Sequence, residues 1–171
     1  MRELNEDEKK TPVVIYTEEA LLHGQIITRE MMRVHIMLRT DSAPSFLHLQ
    51  ETQIVRIGDT VKTTKFDEIY FPTHKIIGFH VSPEDEIDLD YDKKEANRRM
   101  VPVRAAMGPF LIDSKIRIST QTELSASLEV SRSAWLSLYD ATISTPYLAQ
   151  MNMQVPMLLI RPEKVGFGTV E

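Results

Sequence analysis

Two nine-residue stretches of the chain, FLHLQETQI from Phe46 and WLSLYDATI from Trp135, follow one order: aromatic, Leu, polar, Leu, polar, acid, small, polar, Ile. The likeness extends outward. TPVVIYTEEALLHGQI (Thr11 to Ile26) lies without a gap on VPVRAAMGPFLIDSKI (Val101 to Ile116), so that Pro12 meets Pro102, Val13 meets Val103 and Leu21 meets Leu111. One deletion before the aromatic brings Phe46 onto Trp135 and Ile54 onto Ile143. Downstream, IIGFHVSPE ending at Glu84 aligns with VPMLLIRPE ending at Glu163. Self-similarity at a long period marks a repeated structural unit. The polar positions differ between the copies, so the repetition is a signature of fold rather than a duplicated site. The expected division is a charged N-terminal tail (1–10), a first repeat (11–84), a charged linker (85–100) and a second repeat (101–171).

Within each repeat the hydrophobic period is that of strands. Leu47 and Leu49 point one way while Phe46, His48 and Gln50 point the other, and Leu136 and Leu138 alternate with Trp135, Ser137 and Tyr139. The segments Ile76 to Val81 and Val155 to Ile160 read as closing strands halted by Pro83 and Pro162, because proline cannot extend a ladder. The first repeat carries an extra loop around GDTVKTTKFDEIYFPTHK, where the second has STPYLAQMNMQ. Two stretches satisfy both periods. Val34, Ile36 and Leu38 alternate as in a strand while Met31, Val34 and Leu38 suit a helix face; Leu124, Ala126, Leu128 and Val130 alternate while Thr120 and Glu123 form a capping-box pattern. Alternation in both copies favours strands for 31–38 and 121–130. The expected fold is mainly β: two tandem homologous small β-barrel units, with room for a short helix in each, packed on one another because each is small for independent stability.

Composition excludes several classes of function. The chain has no cysteine, so disulfides, thiolate metal sites and a Cys nucleophile are ruled out. No apolar run approaches the roughly 20 residues of a membrane-spanning helix, and the charged N-terminus MRELNEDEKK lacks a signal-peptide core. A cytoplasmic protein without membrane contact is the expectation. Glu84 to Glu95 holds seven acids and two lysines, which accounts for the whole net charge of −5 and leaves the rest near neutral. Such a body does not draw nucleic acid by bulk charge.

The order of strand, LSLYDATI and a late strand ending LLIRPEKVGF resembles the Sm-like, or SH3-like, small β-barrels. Leu136, Leu138, Asp140 and Ala141 match the family's leucine-rich strand followed by an acid and a small residue; Ile160, Arg161 and Val165 match its second motif, with Pro162 in place of glycine. The first-repeat equivalents are Leu47, Leu49, Glu51 and Thr52, then Val81, with Ser82 where arginine would stand. The resemblance implies an RNA pocket only where a polar residue, usually Asn, precedes the leucine strand and Arg-Gly follows. Here Ser45 and Ser133 replace the Asn and both copies lack the glycine. The chain also resembles bacterial proteins of no assigned activity with a duplicated small β domain.

Few residues point to chemistry. All five histidines lie in or near the first repeat, and on the strand reading His35 and His48 face the same side as the candidate metal contact. Asp88, Asp90 and Asp92 alternate as at the start of a calcium loop, but Lys93 and Arg99 stand where glycine and the bidentate Glu are required. No nucleophile elbow, phosphate-binding loop or dinucleotide motif is present, so no enzyme and no cofactor is expected. The leading expectation is a scaffold or protein-interaction module that self-associates or binds a protein partner. Its interface candidates are Trp135, Tyr139, Met151 and Met153, since methionine adapts to irregular surfaces, with burial in the seam between repeats favoured for the methionines. The first alternative is RNA binding through Arg161 and Lys164, aided by Arg98, Arg99 and Arg104; the second is a small-ligand or metal binder on the first repeat.

Overall fold

A computed structural model describes residues 3–40, 43–82 and 89–169. Ten strands form one antiparallel sheet: β1 (Glu8–Tyr16), β2 (Ala20–Arg29), β3 (Phe46–Arg56), β4 (Lys62–Pro72), β5 (Gly78–Val81), β6 (Arg98–Met107), β7 (Phe110–Ser119), β8 (Leu136–Ser144), β9 (Asn152–Ile160) and β10 (Gly166–Gly168). Two helices, α1 (Val34–Arg39) and α2 (Leu124–Val130), interrupt it. The strand order is β10-β6-β7-β8-β9-β5-β1-β2-β3-β4. The sheet does not close on itself, and among the described residues β10 and β4 are its two free edges. The fold is mainly β, and its strands run through both halves in a single sheet.

The two halves share their registers. Glu8 faces Arg29 across β1–β2 and Arg98 faces Ser119 across β6–β7, a displacement of 90 residues on both strands. The β2–β3 ladder slips at Gly24, between His23 and Gln25, and the β7–β8 ladder slips at Ser114, between Asp113 and Lys115. His48 faces Tyr70 and Ser137 faces Leu159, displaced by 89. Tyr16 faces Gly78 and Ala106 faces Gly166, displaced by 90 and 88.

These pairings correct the sequence alignment at its downstream end. β9 corresponds to β4 and β10 to β5, so Ile76 to Val81 and Val155 to Ile160 are not counterparts. The expected extra loop is the eleven-residue edge strand β4. Its lysines, threonines and acids hide the strand from a hydrophobicity reading because 62–67 are exposed on both faces of this edge strand. Pro162 opens a 3₁₀ turn just after β9, and a matching turn at Thr73–Lys75 follows β4; Pro83 lies outside the described residues.

Residues 34–39 and 124–130 are helices rather than strands. Val34 and Leu38 are both buried, one helical turn apart, and Leu124 and Leu128 pack against the core in the same way. The i, i+4 pairs decide the matter because no strand lies alongside to complete a ladder.

β1 explains why VVIY does not alternate. Val13 and Ile15 enter one hydrophobic cluster with Leu22, Leu47, Phe79 and Trp135, while Val14 and Tyr16 enter the other with Phe110, Ile112 and Leu158. A central strand with apolar material on both faces has no polar side. One cluster is drawn chiefly from the second half and the other chiefly from the first, and each is completed by residues of the other half.

Candidate functional site

The halves meet where β5 pairs with β9, Gly78 opposite Ile160 and Phe79 opposite Leu159. Trp135 lies beneath this junction, 3% exposed. Its indole N–H donates to the Leu38 carbonyl at 2.9 Å, and its ring meets Phe79 edge-on with centroids 5.0 Å apart. Arg161 covers the indole face at 4.5 Å, its Nε–H donates to the Ile76 carbonyl and its backbone N–H to Ile77. An arginine suits this place because it stacks and donates in fixed directions at once.

Tyr139 anchors the segment that joins the halves. Its hydroxyl donates to Asp90 Oδ1 at 2.6 Å, Ser137 donates to Oδ2 and Arg39 pairs with Oδ2 at 2.8 Å. Burial pushes the Asp90 carboxyl up, but the hydrogen bonds from Ser137, Tyr139 and Arg39 outweigh it and hold the carboxyl below its usual range. Burial and the bond to Asp90 raise the Tyr139 phenol. Tyr91 packs edge-on against Tyr139, and Arg117 lies 4.6 Å from the Tyr91 ring centre while bonding the Asp92 carbonyl. Residues 89–95 are thus a strap tied to α1, β7 and β8, in which Leu89 and Tyr91 are half-buried and the charged residues exposed. Their sequence signal was Leu89 and Tyr91, apolar in a charged run. Asp90 accepts hydrogen bonds from Ser137, Tyr139 and Arg39; Asp88 lies outside the described residues.

The methionines of the segment 151–157 face inward. Met151 is 8% and Met157 4% exposed, and Met153 packs against the same core with its sulfur 3.8 Å from the Tyr16 hydroxyl. That hydroxyl also donates to His80 Nε2 at 3.1 Å, while His80 Nδ1–H reaches the Val81 carbonyl. Burial lowers the His80 pKa to about 4, and raises that of Tyr16. No sequence pattern announced this buried pair.

His35 and His48 do not meet. His35 sits on α1, whereas His48 on β3 stacks on Tyr70, with centroids 4.7 Å apart, and bonds Glu68. Among the described residues no group of three or more His, Asp or Glu is placed to hold a metal ion. Of the cations proposed for RNA, Arg104 pairs with Asp113 at 2.6 Å, Arg99 with Glu123 at 3.7 Å, Lys164 with Glu18 at 3.6 Å and Arg161 with Glu163 at 4.0 Å, while Arg98 is exposed. No helix is long and apolar enough to cross a membrane.

What remains open are the sheet edges. β4 exposes Tyr70 (62%) and Phe66 (38%), and the flanking Phe46 is 55% exposed. At the other end β10 offers Gly166 and Gly168, both exposed, around a half-buried Phe167. No family model, no curated protein and no solved structure matches the chain.

Proposed function

We propose that the protein is a non-catalytic scaffold, built from two duplicated small-barrel units of Sm-like or SH3-like type, that self-associates head to tail through its sheet edges. One observation carries this reading. Inside the chain, β5 of the first half pairs with β9 of the second, and the two free edges, β10 and β4, are the counterparts of those same two strands. Repeating the internal junction between copies sets Phe167 opposite Tyr70 and Gly166 opposite Phe71. Such a contact joins different surfaces on the two partners, so it closes into a ring or propagates as a filament.

The contact between copies would be weaker than the internal one. Pro72 stands where Arg161 donates its backbone N–H to Ile77, and Glu68 and Tyr70 replace Met157 and Leu159. A shorter ladder with polar flanks favours reversible assembly. The RNA alternative is disfavoured by the internal pairing of four of its five cations and by the acidic balance. Light scattering on the intact chain tests the proposal. Wild type should run at a multiple of 19.7 kDa without absorbance excess at 260 nm, and Tyr70→Lys should run at one chain mass. A wild-type monomer at about 100 µM, or an oligomer indifferent to Tyr70→Lys, overturns it; nucleic acid that leaves at high salt would revive the alternative.

A further inference from the structure

The internal junction fills a slot whose counterpart in the second half is open. In the first half, Val34 and Leu38 of α1 and Phe79 of β5 are each at most 3% exposed. Trp135 lies against two of them, bonded to the Leu38 carbonyl and edge-on to Phe79. α2 begins 90 positions after α1, so Leu124 and Leu128 are the counterparts of Val34 and Leu38. Phe167 pairs with Ala105 as Phe79 pairs with Ile15, which makes Phe167 the counterpart of Phe79. All three second-half residues are only half-buried. Beside them, between α2 and β10, runs a groove of about 540 Å³ whose lining includes Leu128, Ala134, Pro162 and Phe167.

The side chain that fills the slot has a counterpart too. Leu47 faces Phe71 as Leu136 faces Ile160, so Phe46 stands where Trp135 does. Trp135 is 3% exposed and Phe46 55%. The chain thus carries an open slot at its β10 end and an exposed aromatic at its β4 end. Aromatic side chains seated in pockets are the usual anchors of protein interfaces.

We propose that Phe46 of a second copy of this chain inserts into the groove between α2 and β10, against Leu128 and Phe167, as Trp135 does against Leu38 and Phe79 within one chain. This anchor rests on the head-to-tail reading and adds the residue that selects the partner and sets the register. A ladder by itself does neither well: β10 has only three residues, and the backbone of any sheet edge offers the same donors and acceptors. The aromatic in its slot fixes one alignment. Phenylalanine has no indole N–H, so the bond that Trp135 makes to Leu38 has no equivalent at Leu128, and the contact between copies is the looser of the two.

Phe46→Trp restores that donor and supplies a fluorophore. Light scattering and acrylamide quenching of the intact chain, from about 1 to 100 µM, test the anchor. Phe46→Trp should associate about threefold tighter or more, and the introduced indole should pass from quenchable to shielded as the chain assembles. Phe46→Ala should weaken association by about tenfold or more. Ala134 is exposed, so Ala134→Arg should leave the melting temperature unchanged while blocking the groove with a similar loss of association. Assembly that responds to Tyr70→Lys but not to Phe46→Ala or Ala134→Arg overturns the anchor and leaves head-to-tail pairing standing. Shielding of the introduced indole that Ala134→Arg does not disturb also overturns it. Single chains throughout, in Phe46→Trp as in wild type, overturn both readings. A wild type that stays single while Phe46→Trp assembles with a shielded indole upholds the slot and overturns native self-association.

Discussion

Glu51 and Asp140, the acids of the two repeated stretches, occupy the same left-handed position in equivalent β-bulges, with φ of 51° and 48°. Each is held by a lysine: Glu51 by Lys10 of β1, two strands away, at 2.8 Å, and Asp140 by Lys115 of the adjacent β7 at 2.9 Å. The acid in the repeated pattern therefore marks backbone geometry. Asp and Asn tolerate that region, glycine does so freely, and β-branched residues do not. Asp140→Gly should be near neutral, whereas Asp140→Val should destabilise by about 1–2 kcal/mol in urea unfolding. Equal stability of the two variants would refute a strained bulge.

Across the bulge the halves exchange bulk. A Cβ on Gly24 would come within 2.7 Å of Thr52 Oγ1, and the equivalent pair in the second half is Ser114 with Ala141. Gly24→Ala should cost about 1–3 kcal/mol. Adding Thr52→Ala should recover most of that loss, giving a favourable coupling in the double-mutant cycle. Additive effects would show that the two side chains do not compete for one space.

Asp90 accepts hydrogen bonds from Ser137, Tyr139 and Arg39. Asp90→Ala leaves part-buried donors unmatched and should destabilise by about 2–3 kcal/mol. The carboxyl is depressed in the folded state, so its contribution is complete above its unfolded pKa of about 3.9 and is lost as pH falls through the lower folded value. Asp90→Asn should lack that part of the acid limb. An unchanged acid limb in thermal melts would place the strap's stability elsewhere.

His80 has the opposite chemistry and the same sign. The unfolded imidazole takes up a proton near pH 6.5, whereas in the folded state it does so only near pH 4. Stability should therefore fall between those values on acidification and level off below them, by on the order of 3 kcal/mol. His23, also lowered by burial, adds to the loss in the same direction. His80→Gln should flatten most of the slope; an unaltered slope would assign it to other groups.

Trp135 is the only tryptophan, so its fluorescence reports the junction directly. Trp135→Ala removes the Phe79 contact, the bond to Leu38 and the surface beneath Arg161, and should cost about 3–5 kcal/mol. Arg161→Lys should red-shift the tryptophan emission, because lysine cannot both cover the indole and reach the Ile76 carbonyl. A tryptophan spectrum unchanged by Arg161→Lys would mean that the guanidinium does not shield the ring.

What could be read from the amino acids alone was whatever a short window encodes. Leu47 and Leu49, with Leu138 in the second copy, announced their strands because a half-buried strand must alternate. The match of FLHLQETQI with WLSLYDATI announced equivalent strands and, through its acids, equivalent bulges. Val34 and Leu38, like Leu124 and Leu128, satisfied both periods at once, and only the absence of a neighbouring strand made them helices. β4 carries no hydrophobic period because 62–67 are exposed on both faces, and the apolar β9 looks like β5 in composition although its register makes it the counterpart of β4. The strap through Asp90 and the union of β5 with β9 depend on residues about 50 to 80 positions apart, whose meeting is decided by loop closure and shared burial rather than by local pattern. Local pattern thus announces two matching sets of strands, whereas their union in one sheet comes from contacts across the halves, where Trp135 and Leu159 complete the first cluster's core and Tyr16 and Ile77 the second's.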